Sequence, residues 1–172
     1  MHKIYLAGGC FWGVQTALDF MIGVEETVTG YCAGHIDNPT YEEVCTKTTG
    51  HTEAVSVSFN PEITNTSSIL DLFFKIHDPF QLDGQGNDIG PQYRSGIYWD
   101  RGNELVHDQI KDYFKNREDF KNKITTEFMP IRNFWNAEEY HQKYLVKNPT
   151  GYCHVNMNEV KNYLLVKGLL KK

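Results

Sequence analysis

An α/β layer, with helices packed on a mixed sheet, is the fold class that this 172-residue sequence predicts. Three observations lead there. Short apolar or period-two runs alternate along the chain with segments whose apolar residues recur every three to four positions. Breakers fall between the two kinds of segment: Gly8-Gly9, Gly23, Pro39, Pro79 and Pro149. A hydrophobic fraction of 40% is enough for a sizeable core, so residues 1–172 are expected to form one domain, with residues 147–172 as its C-terminal tail.

Lys3-Ile4-Tyr5-Leu6-Ala7 reads as a short buried strand because it is nearly all apolar and ends at Gly8-Gly9. Phe11, Val14, Leu18 and Met21 then recur at helical spacing, with Gly23 as the C-cap, so Cys10 falls at a helix N-terminus. Val24 to Tyr31 predicts a second strand. Thr40-Tyr41-Glu42-Glu43 has the Thr-x-x-Glu form of a capping box, which puts Tyr41 in the first turn of a short helix. From Thr52 to Phe59 the period is two, and Glu53 shares a face with Val55, Val57 and Phe59. A helix follows from Ser68 to His77, ending before Pro79. Gln81 to Ser95 lacks periodicity, and a structureless loop of that length is expected to be functional. Beyond it the pattern predicts a strand over Gly96–Trp99, a helix over Glu104–Lys121 and a strand over Ile124–Phe128. A short helix opening at Asn136 and a last helix over Glu159–Leu170 complete the reading.

Composition excludes several classes. No run approaches the roughly 20 apolar residues of a membrane span, and Met1-His2-Lys3 leads straight into a strand rather than a secretory leader. A soluble, cytoplasmic protein is expected. A net charge of -5, with mixed signs even in the stretch from Lys111 to Lys123, argues against nucleic acid as a partner. Four unevenly spaced cysteines at 10, 32, 45 and 153 do not make the dense framework of a small secreted domain. They are reactive, metal-bound or plainly buried.

Unpaired backbone N–H groups and the helix dipole favour negative charge at a helix N-terminus, so Cys10 is expected to have a lowered pKa and an available thiolate. A buried structural cysteine is the alternative. Phe11 and Trp12 supply apolar, polarizable walls that suit a methyl group on sulfur, although at least one of them is expected in the core. Glu53 on an apolar face would be desolvated and its pKa raised, which makes a proton donor; exposure at the strand's first residues is the competing outcome.

Gly8-Gly9-Cys10-Phe11-Trp12-Gly13 closely resembles the signature of the peptide methionine sulfoxide reductase A family. The resemblance continues through Asn38-Pro39-Thr40-Tyr41-Glu42-Glu43-Val44-Cys45, Gly50-His51-Thr52-Glu53-Ala54-Val55 and His77-Asp78-Pro79. It extends through Gln85-Gly86-Asn87-Asp88-Ile89-Gly90-Pro91-Gln92-Tyr93-Arg94-Ser95 and Phe134-Trp135-Asn136-Ala137-Glu138-Glu139-Tyr140-His141-Gln142, covering residues 3 to 157.

The resemblance implies a two-layer ferredoxin-like sandwich with a mixed sheet and an irregular C-terminal tail. It implies reduction of methionine S-sulfoxide, free or in proteins, by a monomer without metal or organic cofactor, with thioredoxin as reductant. Cys10 then resembles the nucleophile, Glu53 the acid, and Tyr41 and Tyr93 the hydroxyl donors to the sulfoxide oxygen. Phe11 and Trp12 resemble the methyl pocket, and Asp88 a position that organises the site through hydrogen bonds. Cys153, in the glycine-containing Gly151-Tyr152-Cys153-His154, is the candidate recycling thiol, which implies a Cys10–Cys153 disulfide. Cys45 resembles a non-catalytic position and its helical placement favours burial, whereas Cys32 departs from the family's small residue and leaves open a second oxidation partner or a regulatory thiol.

Other readings are weaker. Cysteine and histidine pairs such as Cys32 with His35 invite zinc, but no C-x-x-C knuckle is present. A cysteine hydrolase would pass through a thioester, and a non-catalytic peptide-binding domain would tolerate loss of the Cys10 thiol.

Overall fold

The computed structural model describes Met1–Lys172. β1 (His2–Gly8) sends Ile4 and Leu6 to one face and Tyr5 and Ala7 to the other, as a period-two backbone requires. Gly9, at φ 91°, turns the chain sharply into α1 (Phe11–Asp19), with Cys10 at the N-cap. β2 (Val24–Cys32) and β3 (Thr52–Phe59) flank α2 (Tyr41–Cys45), which opens with both arms of the Thr40/Glu43 capping box formed. α3 (Thr66–Ile76) starts two residues earlier than the periodicity predicts because the Asn65 side chain accepts from Ser68 N and caps it there.

β1, α1, β2, β3, α3 and β6 (Ser95–Trp99) make a βαββαβ unit whose strands lie in the order β6-β1-β3-β2, all antiparallel. This is the ferredoxin-like arrangement. β7 (Glu127–Pro130) adds to β6 in parallel and β8 (Phe134–Asn136) to β2 antiparallel, so the completed six-stranded sheet is mixed. α1, α3 and α4 (Glu104–Lys115) cover one face with the main apolar cluster, which includes Leu6, Val57, Phe73 and Ile110. A smaller cluster of Tyr5, Ala7, Cys32, Ala33, Ala54 and Tyr98 lies on the opposite face.

Several elements differ from the sequence expectation. The Gln81–Ser95 stretch holds a two-stranded hairpin, β4 (Gly84–Gln85) with β5 (Asp88–Ile89), and a 3-10 turn over Pro91–Tyr93. Its strands are too short to show periodicity. The expected helix opening at Asn136 is instead β8 followed by a 3-10 turn at Glu139–His141, because residues 134–136 pair with Gly30–Cys32. α4 ends at Lys115 rather than Lys121, and the chain turns so that Phe120 packs on Phe74 at 4.7 Å. Gly23 does not cap α1; Phe20 does, and Gly23 serves the turn before β2 at φ 85°. α5 (Tyr144–Lys147) and α6 (Met157–Val166) bracket the irregular segment 148–156. No helix is long and apolar enough to cross a membrane.

Candidate active site

Antiparallel topology assembles the site at one end of the sheet. The last residue of β1, Gly8, pairs with the first of β6, Ser95, and Tyr31 near the end of β2 pairs with Glu53 near the start of β3. Cys10, Tyr41 and Tyr93 all lie in connections at that end.

Glu53 lies on the Val55–Val57–Phe59 face, as the alternation predicts, and is 1% exposed. Its Oε1 accepts from Phe11 N, the first N–H of α1, at 3.2 Å, while its buried Oε2 has no partner. Burial pushes this carboxyl from 4.5 up to about 8; the Phe11 N–H opposes the change and Asp88 adds to it. Cys10, 7% exposed, sits beside the same peptide. Burial raises its thiol well above the ordinary 9.0, ionised Glu53 raises it further, and the Trp12 N–H pulls the other way without winning. The expectation of a lowered Cys10 pKa is therefore corrected: desolvation outweighs the helix N-terminus. At neutral pH the resting pair is a thiol beside a carboxylic acid.

Tyr41 and Tyr93 are both half-buried, and desolvation followed by the Glu53 charge raises both phenols, so each remains a proton-bearing donor. The aromatic wall divides as expected. Phe11, 1% exposed, is core, whereas the partly buried Trp12 stacks on Tyr144 at 3.7 Å and donates from Nε1 to His141 Nδ1 at 3.0 Å.

The tail docks over α1. Tyr152 donates to Asp88 Oδ2 at 2.9 Å, Val155 is buried in the main cluster, and Cys153 donates to Val155 O at 3.2 Å. Cys153 Sγ lies 3.1 Å from the point that a Cβ on Gly13 would occupy. Gly13 follows Cys10 by three residues, and positions three apart are neighbours on a helix surface. Cys153 thus lies against the first turn of the helix that Cys10 opens, and both thiols are free.

The family model for peptide methionine sulfoxide reductase matches residues 2–170. The chain belongs to the peptide methionine sulfoxide reductase family. Among relatives of this reductase, peptide methionine sulfoxide reductase MsrA of Ureaplasma parvum serovar 3 is 50% identical over 160 residues, 92% of this chain and 95% of the relative. The solved Mxr1 of Saccharomyces cerevisiae in reduced form superposes with a TM-score of 0.79 at 36% identity, covering 90% of each chain. Mxr1 in complex with Trx2 matches with a TM-score of 0.54 at 28% identity over 83% of each chain.

Two residues to which the sequence assigns no role also pack into this end of the reductase, Glu138 and His141. Glu138 accepts from Tyr31 Oη at 2.8 Å and from Tyr41 N at 2.9 Å, anchoring α2 to the sheet. His141 packs at 5.2 Å from Phe11 and 4.5 Å from Tyr41. Both lie in the Phe134–Gln142 block, and that block was the available signal. Cys45 is half-buried beside the Tyr41 hydroxyl, more open than its helical position predicts. Cys32 is 0% exposed in the smaller apolar cluster, on the face of the sheet opposite the one Glu53 shares, where burial pushes its thiol up to about 12. No three His, Cys, Asp or Glu side chains converge as a metal site. A cavity of 570 Å³ beside α4 contains none of these residues. Chemistry, not volume, distinguishes the end of the sheet.

Proposed function

We propose that this reductase acts on the S epimer of methionine sulfoxide, free or in proteins, with Cys10 as nucleophile, Glu53 as proton donor and Cys153 as recycling thiol. The observation that carries the reading is the pairing at the start of α1. Glu53 accepts from the Phe11 N–H, the one next to Cys10, and keeps one buried oxygen without a partner. A carboxyl whose pKa is about 8 bears its proton at neutral pH, and it has no protein acceptor to give it to.

A sulfoxide oxygen is basic and serves as that acceptor. Hydrogen bonds from Glu53, Tyr41 and Tyr93 make the substrate sulfur electrophilic, with Trp12 beside the methyl group and Asp88 holding the tail in place. As Cys10 sulfur attacks, Glu53 gives its proton to the oxygen and takes the thiol proton. The substrate S–O bond breaks, the hydroxyl passes to Cys10 as a sulfenic acid, and methionine leaves reduced by two electrons. Cys153 then displaces that hydroxyl as water, forming the Cys10–Cys153 disulfide, and a dithiol partner restores both thiols by exchange. The yeast relative's complex with Trx2 supports a thioredoxin as that partner. The epimer preference is part of the proposal, on the resemblance of the motifs around Cys10 and Glu53 to the A family. A reducing cytoplasm, where four free cysteines persist, is the fitting compartment.

Single turnover with quantified methionine tests the scheme. Cys10→Ser is expected to release none. Cys153→Ser should release one methionine per enzyme and then stop, even with thioredoxin present. Sustained thioredoxin-dependent cycling by Cys153→Ser would remove Cys153 from the recycling step.

A further inference from the structure

His154 follows the proposed recycling thiol directly, and its ring covers the bare backbone around the proposed nucleophile. Nε2 lies 3.3 Å from the point a Cβ on Gly9 would occupy, and Cε1 lies 3.5 Å from the corresponding point on Gly13. Cys153 Sγ approaches that second point to 3.1 Å. The imidazole therefore sits between Cys153 and the peptide that leads into Cys10.

Both ring nitrogens of His154 are buried and neither makes a hydrogen bond of full geometry, the Gly8 backbone offering only a marginal one. Buried polar atoms are nearly always paired, and an orphan calls for an explanation. His77 and His51, by contrast, are satisfied at both nitrogens: His77 bonds Phe73 O at 2.7 Å and Ser95 Oγ at 2.8 Å, and His51 bonds Gly34 N at 3.2 Å and Ile36 O at 2.7 Å; buried His141 leaves only Nε2 without a partner, its Nδ1 accepting from Trp12. On its far side the His154 ring borders a polar cavity of 450 Å³ lined by Lys75, Asp78, Gln85, Asn87 and Tyr152. Neither Cys10 nor Cys153 lines this cavity, whereas His154 does.

We infer that His154 carries the proton of the disulfide-forming step, linking the Cys10–Cys153 pair to the cavity. The inference rests on Cys153 being the recycling thiol. Cys153 sulfur donates an electron pair to Cys10 sulfur, forming the S–S bond as the S–O bond of the sulfenic acid breaks. The Cys153 proton passes to one ring nitrogen, and the imidazolium returns a proton to the departing hydroxyl. Water leaves, Cys153 is oxidised, the Cys10 sulfur is reduced, and the ring ends neutral.

The surroundings fit a proton acceptor. Burial lowers the ring's pKa below the ordinary 6.5, Asp88 and the Gly8 backbone oppose it, and His77 at the end of α3 is neutral when His154 titrates, its own pKa being lowered to about 4. Lys75 of α3 and Glu159 of α6 border the ring's outer side. The neutral form prevails at neutral pH, ready to accept.

The test uses the full-length reduced protein mixed with one equivalent of free methionine sulfoxide. Methionine release and disulfide formation are followed separately by quenched mass spectrometry from about pH 5 to about pH 9. His154→Gln and His154→Ala should release methionine at the wild-type rate but form the disulfide about 10²-fold more slowly, the scale of one general acid–base group. Their remaining rate should climb with pH as Cys153 ionises unaided, and added imidazole should restore His154→Ala. Wild-type disulfide rates in both variants would overturn the inference, as would slow formation with an unchanged pH profile and no response to imidazole. A disulfide missing from wild-type protein after methionine release would instead sink the recycling role of Cys153.

Discussion

Glu53→Gln separates the electrostatic cost of the buried acid from its chemistry. In the folded protein the carboxyl holds its proton up to about 8, against 4.5 when solvated. Between these values the folded state binds more protons than the unfolded state, so stability falls as pH rises through the window and levels off above it. At about 1.4 kcal/mol per pH unit, full ionisation costs about 5 kcal/mol. The amide never ionises and abolishes this slope. It also places an NH₂ where Oε2 now has no partner, a pH-independent cost of about 1–3 kcal/mol. Urea unfolding of both proteins at about pH 5 and about pH 9 cancels that constant term. Relative to wild type, Glu53→Gln should gain several kcal/mol between the two pH values, while losing about 10²- to 10⁴-fold in single-turnover methionine formation at neutral pH. A stability difference that stays constant across the range would refute the buried-acid argument. An unchanged single-turnover rate would remove Glu53 from the reaction.

Gly13→Ala places a methyl group 3.1 Å from both Cys153 Sγ and Val155 Cγ2, so the tail must shift. Quenched mass spectrometry should show slower Cys10–Cys153 disulfide formation with methionine release retained; an unaltered disulfide rate would mean that the tail reaches Cys10 by another path. Thr40→Ala removes the side-chain oxygen that caps Glu43 N and should cost about 1 kcal/mol, or about 2–4 °C in Tm for a protein of this size. An unchanged melting curve would show that the Glu138 bond to Tyr41 N holds α2 by itself.

Much of the fold was legible because local chemistry and tertiary context agree. β1 is a nearly continuous apolar run and β3 a period-two run long enough to read, α1 carries its apolar spacing after Gly8-Gly9, and α2 carries its capping box in sequence. Where the structure departs from expectation, distant partners decide the outcome. β8 is strand rather than helix because β2 offers an edge, and the short pairing of β4 with β5 leaves no periodic trace. The family resemblance drew attention to Tyr41, Tyr93 and Asp88. Glu138, His141 and His154 gain their positions only through contacts made across the chain.

By itself the sequence determined which thiol opens a helix, which carboxyl shares an apolar face, and the family those motifs resemble. The tertiary structure decided the protonation of that pair. A helix N-terminus argues for a thiolate and takes no account of what is packed around it. Desolvation depends on every neighbour, and here it outweighs the helix and leaves Cys10 and Glu53 both protonated at rest. Placement of Cys153 beside Gly13 was likewise beyond sequence spacing, since it depends on Tyr152 reaching Asp88 and Val155 entering the core.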